Sequence, residues 1–450
     1  MRTTNSVLCA LALGVAASAA SPALAAGDDD LAAIRQEMKA LRGDYESKIR
    51  ELERRLKKAE ARADKSEAAA RVATPVVADI PPPALAPPVA PRAPASANAF
   101  NPAISAILNG SYTAAGRDPT PARVPGFVFG GDAGLQGRGF SLGESEVALS
   151  ASVDPYFLAN LIVALGNDNS ISVEEAYIQS TNLPWGLTAK AGRFFSGVGY
   201  LNEKHAHAWD FVDAPLPYRV LLGNQYGDDG VEVRWLAPTD FFLEFGAEWY
   251  RGDSFPAGNA DDNGAGTVAA FVHSGGDIDD SSSFLAGLSI IHTKALDRDT
   301  GGDVFTGTDG LGIASLVYKW SPGGNPTVTN LVASGEYFFG HEDGAFNGVP
   351  VGYDRSGFYV QGVYQFMPRW RFGVRYAELQ TAAAPLLLAG SALDDFGHTP
   401  QTLSALLEYD ASEFGRFRVQ YTLDDADLRT NNEITAAYTV SIGPHGAHRF

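Results

Sequence analysis

Apolar and polar residues alternate in a series of short segments that begins near Ile104 and continues to the end of the chain. In Arg369–Tyr376, arginines alternate with aromatic and aliphatic residues, and Arg416 and Arg418 alternate with their neighbours in the same way. Successive side chains of a strand point to opposite faces, so each segment predicts a strand with one charged face and one apolar face. Such strands are typical of transmembrane barrels. The residues predicted to line the lumen are Glu144, Glu146, Glu232, Arg234, Arg369, Arg371, Arg375, Arg416 and Arg418.

Two kinds of connection separate these strands. Some are short and contain Pro or Gly, such as Asp154-Pro155 and Met367-Pro368. Others are long, polar and rich in Gly and Asp, and they comprise residues 115–139, 197–225, 251–265, 294–308, 340–354 and 381–399. Short turns at the periplasmic rim and long loops at the opposite rim are the arrangement of outer-membrane barrels.

The connections also indicate the number of strands. Keeping every proline turn at the periplasmic rim requires one strand beyond the evident ones, and we assign it to Gly266–His273. The predicted fold is an all-β, antiparallel transmembrane β-barrel of about 16 strands in residues 100–450. Its last strand, Ile434–Ile442, precedes a terminal Phe450. A terminal aromatic residue is typical of the signal read by the barrel assembly machinery, which we expect to be a partner.

The N-terminus has the pattern of a secretory signal peptide in residues 1–26. Arg2 precedes the apolar run Val7–Ala20 and the small-residue site Ala23–Ala25. Cys9, the single cysteine, lies inside this signal, so the mature chain would have neither disulfides nor thiolate metal sites. No other segment offers the roughly 18 consecutive apolar residues of a helical span. We therefore expect a protein that crosses the bacterial outer membrane with strands in contact with its lipid.

Two further segments precede the barrel, and both are predicted to lie in the periplasm. Residues 27–71 carry an apolar heptad seam from Leu31 to Ala63, which favours a parallel coiled-coil helix over a solitary solvated one. Residues 72–99 are rich in Pro and Ala and predict a semi-rigid linker. We expect the coiled coil to support a homotrimer and to contact the cell wall.

Charge is distributed unevenly along the chain. The formal net charge is -19, from 34 basic and 53 acidic residues. Residues 27–99 hold 12 acids and 13 bases and Arg2 adds one base, which leaves 41 acids and 20 bases, a net of -21, in residues 100–450. An acidic pore attracts cations and repels phosphate. The balance argues against a phosphate-selective pore, and we expect no nucleic-acid partner.

The long loop Ser196–Gln225 follows the fifth predicted strand, and in 16-stranded porins the loop at this place commonly folds into the lumen. Asp213 and Arg219 are its predicted pore-lining residues. His205 and His207, with Glu203 and Asp210, are candidate ligands for zinc or another divalent ion. The alternative is that they are ordinary polar residues of the loop. We predict no resident cofactor, and zinc would be a transported or blocking ion.

No motif in the chain indicates catalysis. The glycines of residues 130–137 lack a GK[ST] sequence, so they do not predict a phosphate-binding loop. A nucleophile elbow is also missing from the sequence. We therefore predict that the protein is not an enzyme, and a barrel enzyme is the third of three functional hypotheses.

Several blocks of the barrel region resemble a family of proteobacterial outer-membrane proteins, some described as porin-like and others as zinc-regulated TonB-dependent receptors. These blocks are Phe140–Glu146, Asp154–Phe157, Gly192–Asn202, His205–Phe211 and Gly227–Gly230. The predicted coiled coil is similar to that of the trimeric sugar porins. The resemblance implies a passive channel for small hydrophilic solutes, and the acidic charge balance predicts that this channel prefers cations. The alternative is a metal-linked uptake receptor, although a 22-stranded receptor barrel would leave only about 16 residues per strand and none for a plug.

Overall fold

The computed structural model describes residues 102–443, except for 120–122, 129, 131–134, 136, 167–169 and 260–263. The predicted signal peptide (1–26), coiled coil (27–71), Pro/Ala-rich linker (72–99) and terminal Phe450 lie outside the described residues and remain predictions. What is described is almost entirely β-structure. None of its helices is long and apolar enough to cross a bilayer.

The described residues form seventeen strand segments and one short α-helix, α1 (Leu216–Leu221). The strands are β1 (Ala103–Ala115), β2 (Gly139–Ser141), β3 (Ser145–Ser152), β4 (Phe157–Leu165), β5 (Ile171–Ser180), β6 (Leu187–Phe195), β7 (Gly227–Leu236), β8 (Phe242–Tyr250), β9 (Thr267–Asp279), β10 (Ser282–Asp299), β11 (Val304–Trp320), β12 (Asn330–Phe346), β13 (Val349–Met367), β14 (Trp370–Thr381), β15 (Gln401–Ser412), β16 (Gly415–Asp425) and β17 (Asn431–Ile442).

Antiparallel pairing between sequential neighbours closes these segments into a barrel. β17 pairs with β1 from Ala106↔Ile442 to Ala115↔Glu433, so the sheet has no free edge. β2 and β3 both pair with β1 and together form one wall strand, which is interrupted at residues 142–144. Seventeen segments therefore make 16 wall strands, and the predicted number is confirmed. The strand assigned to Gly266–His273 is present as part of β9.

Two of the predicted long loops are wrong. Residues 294–308 and 340–354 belong mostly to hairpins, in which β10 pairs with β11 as far as Asp299↔Val304 and β12 pairs with β13 as far as Phe346↔Val349. Cross-strand bonds satisfy the backbone of these polar segments. Buried apolar residues also hold them: Phe305, Phe346 and Val351 pack together with Leu388 and Leu393 of the connection between β14 and β15.

The distribution of side chains is inverted relative to a soluble protein. Large apolar residues of the strands point outward and are exposed, as shown by Leu288 (62%), Ile290 (63%) and Val360 (53%). Charged residues such as Glu232 and Arg375 point inward and are buried. A closed antiparallel barrel with an apolar outer surface and a polar interior is a transmembrane barrel of the bacterial outer membrane.

Candidate functional site within the barrel

The segment between the fifth and sixth wall strands, residues 196–226, enters the barrel interior as predicted and is called the inward loop here. Its first residues are tied to the inner faces of β8, β10 and β12. The Gly197 amide donates to Glu248 Oε1 at 2.8 Å, the Gly199 amide to Ser289 Oγ at 3.1 Å, and the Tyr200 amide to Glu336 Oε1 at 2.7 Å. Gly199 has a φ of +69°, and a Cβ there would lie 2.5 Å from the Tyr218 hydroxyl. This close approach requires glycine.

The α1 helix packs on the inner wall through apolar side chains. Tyr218 is fully buried and meets the Phe338 ring edge-on at a centroid distance of 5.2 Å, while its hydroxyl donates to Glu336 Oε2 at 2.9 Å. Leu221 packs in the same core as the inward-facing Ile313 and Leu379. Fully burying one such side chain stabilises a fold by roughly 1.5–3 kcal/mol. The sequence predicted a charged lumen and did not reveal this internal apolar core, because its residues lie on distant strands.

Arginines of β14 and β16 hold the middle of the inward loop. Arg371 Nη2 lies 2.6 Å from Asp210 Oδ1, and Arg375 Nη2 lies 2.7 Å from Asp213 Oδ1. Arg416 and Arg418 donate to the backbone carbonyl of Trp209. Burial opposes ionisation of both aspartates, but the neighbouring Arg371 and Arg375 charges outweigh it and lower the pKa of Asp210 and the pKa of Asp213.

On another part of the wall, glutamates of β3 and β5 surround the loop histidines. His205 Nδ1 lies 3.2 Å from Glu174 Oε2 and 3.5 Å from Glu146 Oε2, and His205 Nε2 lies 3.2 Å from Glu175 Oε2. His207 Nδ1 lies 2.7 Å from Glu146 Oε1. The two imidazole rings are stacked, with centroids 5.7 Å apart. We call these five residues the Glu–His cluster.

A β-bulge explains why two consecutive glutamates face the same loop. The pairing of β4 with β5 shifts register between Ile162↔Glu175 and Val163↔Val173, which leaves Glu174 as the extra residue. A bulge puts two residues of one strand opposite one residue of its partner. Sequence analysis missed Glu174 and Glu175 for this reason, since regular alternation places one of them outside. The one sign of this bulge in the sequence is that two polar residues, Glu174 and Glu175, follow Val173 where alternation would place one polar and one apolar residue.

The structure does not bring two of the predicted metal ligands to the histidines. Glu203 pairs with Arg234 and lies 3.9 Å from Lys190 Nζ. Burial opposes its ionisation, but Arg234 and Lys190 lower the pKa of Glu203 to about 2. Asp210 forms an ion pair with Arg371. The prediction that Glu203 and Asp210 share a metal site with His205 and His207 is therefore wrong. Both acids form ion pairs with arginines of the barrel wall instead.

The predicted lumen-facing residues are distributed over several places. Glu144 and Glu146 face the loop histidines. Glu232 and Arg234 pair with each other at 2.6 Å. Arg371, Arg375, Arg416 and Arg418 lie on the inner faces of β14 and β16, next to the inward loop.

Two more of the predicted lumen residues, Arg369 and Arg219, differ in their surroundings. Arg369 is exposed on the turn between β13 and β14 with a φ of +70°, and it donates to the Ala411 carbonyl, so its assignment to the lumen is wrong. The strand ends before this residue, and alternation no longer determines its direction. Arg219 lies on α1 and borders a cavity of about 60 Å³, which is also lined by Arg117, Arg123 and Asp424.

An uncharacterized protein from Aquifex aeolicus (strain VF5) is 30% identical to this chain over 393 residues, which cover 79% of this chain and 81% of that protein. The chain belongs to the same family as this protein. No family model matches the sequence.

Outer-membrane proteins of known structure have similar chains. A loop L8 deletion mutant of OmpT, an outer membrane protein of Vibrio cholerae, is 15% identical with a TM-score of 0.49, and the match covers 76% of this chain and all of that one. The anion-selective porin from Comamonas acidovorans is 9% identical with a TM-score of 0.48, covering 76% and 99%. OprB of Pseudomonas putida is 14% identical with a TM-score of 0.45, covering 76% and 94%.

Proposed function

We propose that this member of the Aquifex protein's family is a porin-like channel, through which small hydrophilic solutes cross the outer membrane passively and cations pass in preference to anions. We propose no enzymatic activity for the protein. The observation that carries it is the course of the inward loop, which places polar and charged groups across the interior of a closed barrel.

The charges around the inward loop support a channel that sorts solutes by charge. Glutamates of β3 and β5 lie on one side of the loop, and Arg371, Arg375 and Arg416 lie on the other. Opposite charges on separate parts of the inner wall create a field in the lumen, which orients a dipolar solute and acts on ions. The net charge of -21 in residues 100–450 favours cations over anions.

Reversal potentials in planar bilayers test this proposal. Full-length protein in a KCl gradient with EDTA should give a reversal potential of the sign expected for a potassium-preferring channel. Glu174→Gln removes one lumen charge and should reduce the preference. Asp354→Asn removes an outward-facing carboxylate that is mostly exposed, so it should leave the preference unchanged. A chloride-preferring potential would contradict the cation preference, and inserted barrels without conductance would contradict the channel.

A second candidate is metal-linked uptake by a dedicated receptor. The observation that favours it is the Glu–His cluster, since carboxylate and imidazole groups in one place are the ligands of zinc. A receptor would bind metal and show no steady ionic current in the bilayer experiment. We also infer that the chain assembles as a homotrimer, which is tested through its predicted coiled coil below.

A further inference from the structure

We propose that Glu146, Glu174 and His205 form a binding site for a divalent transition-metal ion such as zinc, with Glu175 and His207 as supporting residues. One potential ligand atom from each of the three residues lies within 4.8 Å of the other two. Carboxylate oxygens together with imidazole nitrogen match the preferences of borderline ions. This inference goes beyond the proposed passage of solutes through the channel, because it concerns the binding of a metal ion to the protein.

The spacing of the ligand atoms suits a tetrahedral ion. His205 Nδ1 lies 3.2 Å from Glu174 Oε2 and 3.5 Å from Glu146 Oε2. Two ligand atoms at zinc's usual bond length of about 2.1 Å, separated by a tetrahedral angle, lie roughly 3.4 Å apart. Two of the three distances between ligand atoms therefore match those around a tetrahedral zinc ion, and the third lies within 4.8 Å.

Two of the three ligands, His205 and Glu146, have a neighbour that would orient them. Glu175 Oε2 lies 3.2 Å from His205 Nε2 and, with a metal bound, would accept a hydrogen bond from that nitrogen, while Nδ1, which now contacts Glu174 Oε2, would supply its lone pair to the ion. His207 Nδ1 lies 2.7 Å from Glu146 Oε1 and leaves Oε2 directed at His205. Metal-binding histidines commonly donate their second N–H to a carboxylate, which fixes the tautomer and strengthens the metal bond.

The charges in the cluster favour a cation. Three carboxylates, those of Glu146, Glu174 and Glu175, face two imidazoles. Among the described residues, the ion pairs of Glu146, Glu174 and Glu175 all go to His205 or His207. Glu232 and Glu408, in contrast, have arginine partners. A divalent ion would offset the excess of carboxylates over imidazoles.

Calorimetry and cobalt spectroscopy test the site without any ion flow. Metal-stripped, full-length protein in detergent should bind one Zn²⁺ per chain in isothermal titration calorimetry. Co²⁺ should give the intense visible absorption bands of a tetrahedral site. Glu174→Gln and His205→Gln should each weaken zinc binding at least tenfold, and Glu175→Gln about tenfold through loss of the orienting hydrogen bond.

Two control variants define the ligand set. His341→Gln removes an exposed histidine that pairs with Asp354 at 2.7 Å on a rim hairpin. Glu203→Gln removes the loop glutamate that pairs with Arg234. Both should bind zinc as tightly as the parent chain. Gel mobility before and after heating verifies that each variant is a folded barrel. Absence of zinc binding by the parent chain, or equal affinity of folded Glu174→Gln and His205→Gln variants, would overturn the proposal.

Discussion

The Arg375 guanidinium donates to both the carboxylate and the backbone carbonyl of Asp213, each at 2.7 Å. The two residues are 162 positions apart in the chain, on β14 and on the inward loop. Asp213 also accepts a hydrogen bond from Gln420 at 2.6 Å. Three bonds to two wall strands, β14 and β16, therefore hold this part of the loop against the inner wall.

Removing this attachment should loosen the inward loop. Breaking a buried ion pair by truncating one partner costs about 3–5 kcal/mol, since the other charge stays buried and unpaired. We expect Arg375→Ala to increase current noise and mean conductance in single-channel recordings. The control is Arg193→Ala, because Arg193 pairs with Asp229 on the exposed outer face. Recordings of Arg375→Ala that match the parent chain would show that the loop is held without this contact.

Acid should loosen the same loop at a predictable pH. The pKa of Asp210 and the pKa of Asp213 are lowered by arginines, so each pair stabilises the folded loop above the ordinary aspartate pKa of about 3.9 and loses that contribution as pH falls through the lower folded value. Single-channel conductance should therefore stay constant from neutral pH to about pH 4 and change below it.

The Asp213→Asn variant checks this assignment, since it lacks one of the two titrating groups. The variant should show the looser state already at neutral pH and a smaller change in acid. A conductance change centred near neutral pH in the parent chain would point to other groups.

Zinc should partially block the channel if the Glu–His cluster lies on the conduction path. Micromolar zinc on the long-loop side should reduce the current of the parent chain, and replacement of both His205 and His207 by alanine should abolish the block. Barrel assembly should be intact, because loop residues contribute little to strand pairing. His341→Ala is the matched control and should keep the block. Unchanged block in the double variant would remove the histidines from the conduction path.

Trimer formation should depend partly on the predicted coiled coil. Native mass spectrometry of the full-length protein should give three chains per particle, and deletion of residues 27–99 should lower the stability of that trimer in detergent. The heptad seam from Leu31 to Ala63 is the basis for this expectation. A monomeric full-length protein would contradict it, and an equally stable deletion trimer would assign all of the contacts to the barrel walls.

The sequence by itself determined the wall of this protein. Period-two alternation predicted the strands, the charged inner face and the apolar outer face, and the placement of turns predicted 16 wall strands and the loop that enters the lumen. Alternation is a local property, since each residue's direction follows from its neighbour's. The predictions from alternation that were wrong also concern short stretches of the chain. Arg369 lies beyond the end of a strand, and the Gly- and Asp-rich rim segments around residues 300 and 347 are hairpins that paired strands stabilise.

The tertiary structure alone decided which charges meet. Closeness in the sequence led to the prediction that Glu203 and Asp210 lie with the histidines. In the structure, Glu203 forms an ion pair with Arg234 and Asp210 forms one with Arg371, both on the barrel wall. Glu146, Glu174 and Glu175 reach His205 because the barrel closes and a bulge turns two adjacent glutamates toward the lumen. These ion pairs form between residues that are close in space but far apart in the chain, such as Arg371 and Asp210, which are 161 positions apart. No local pattern of the chain encodes that closeness.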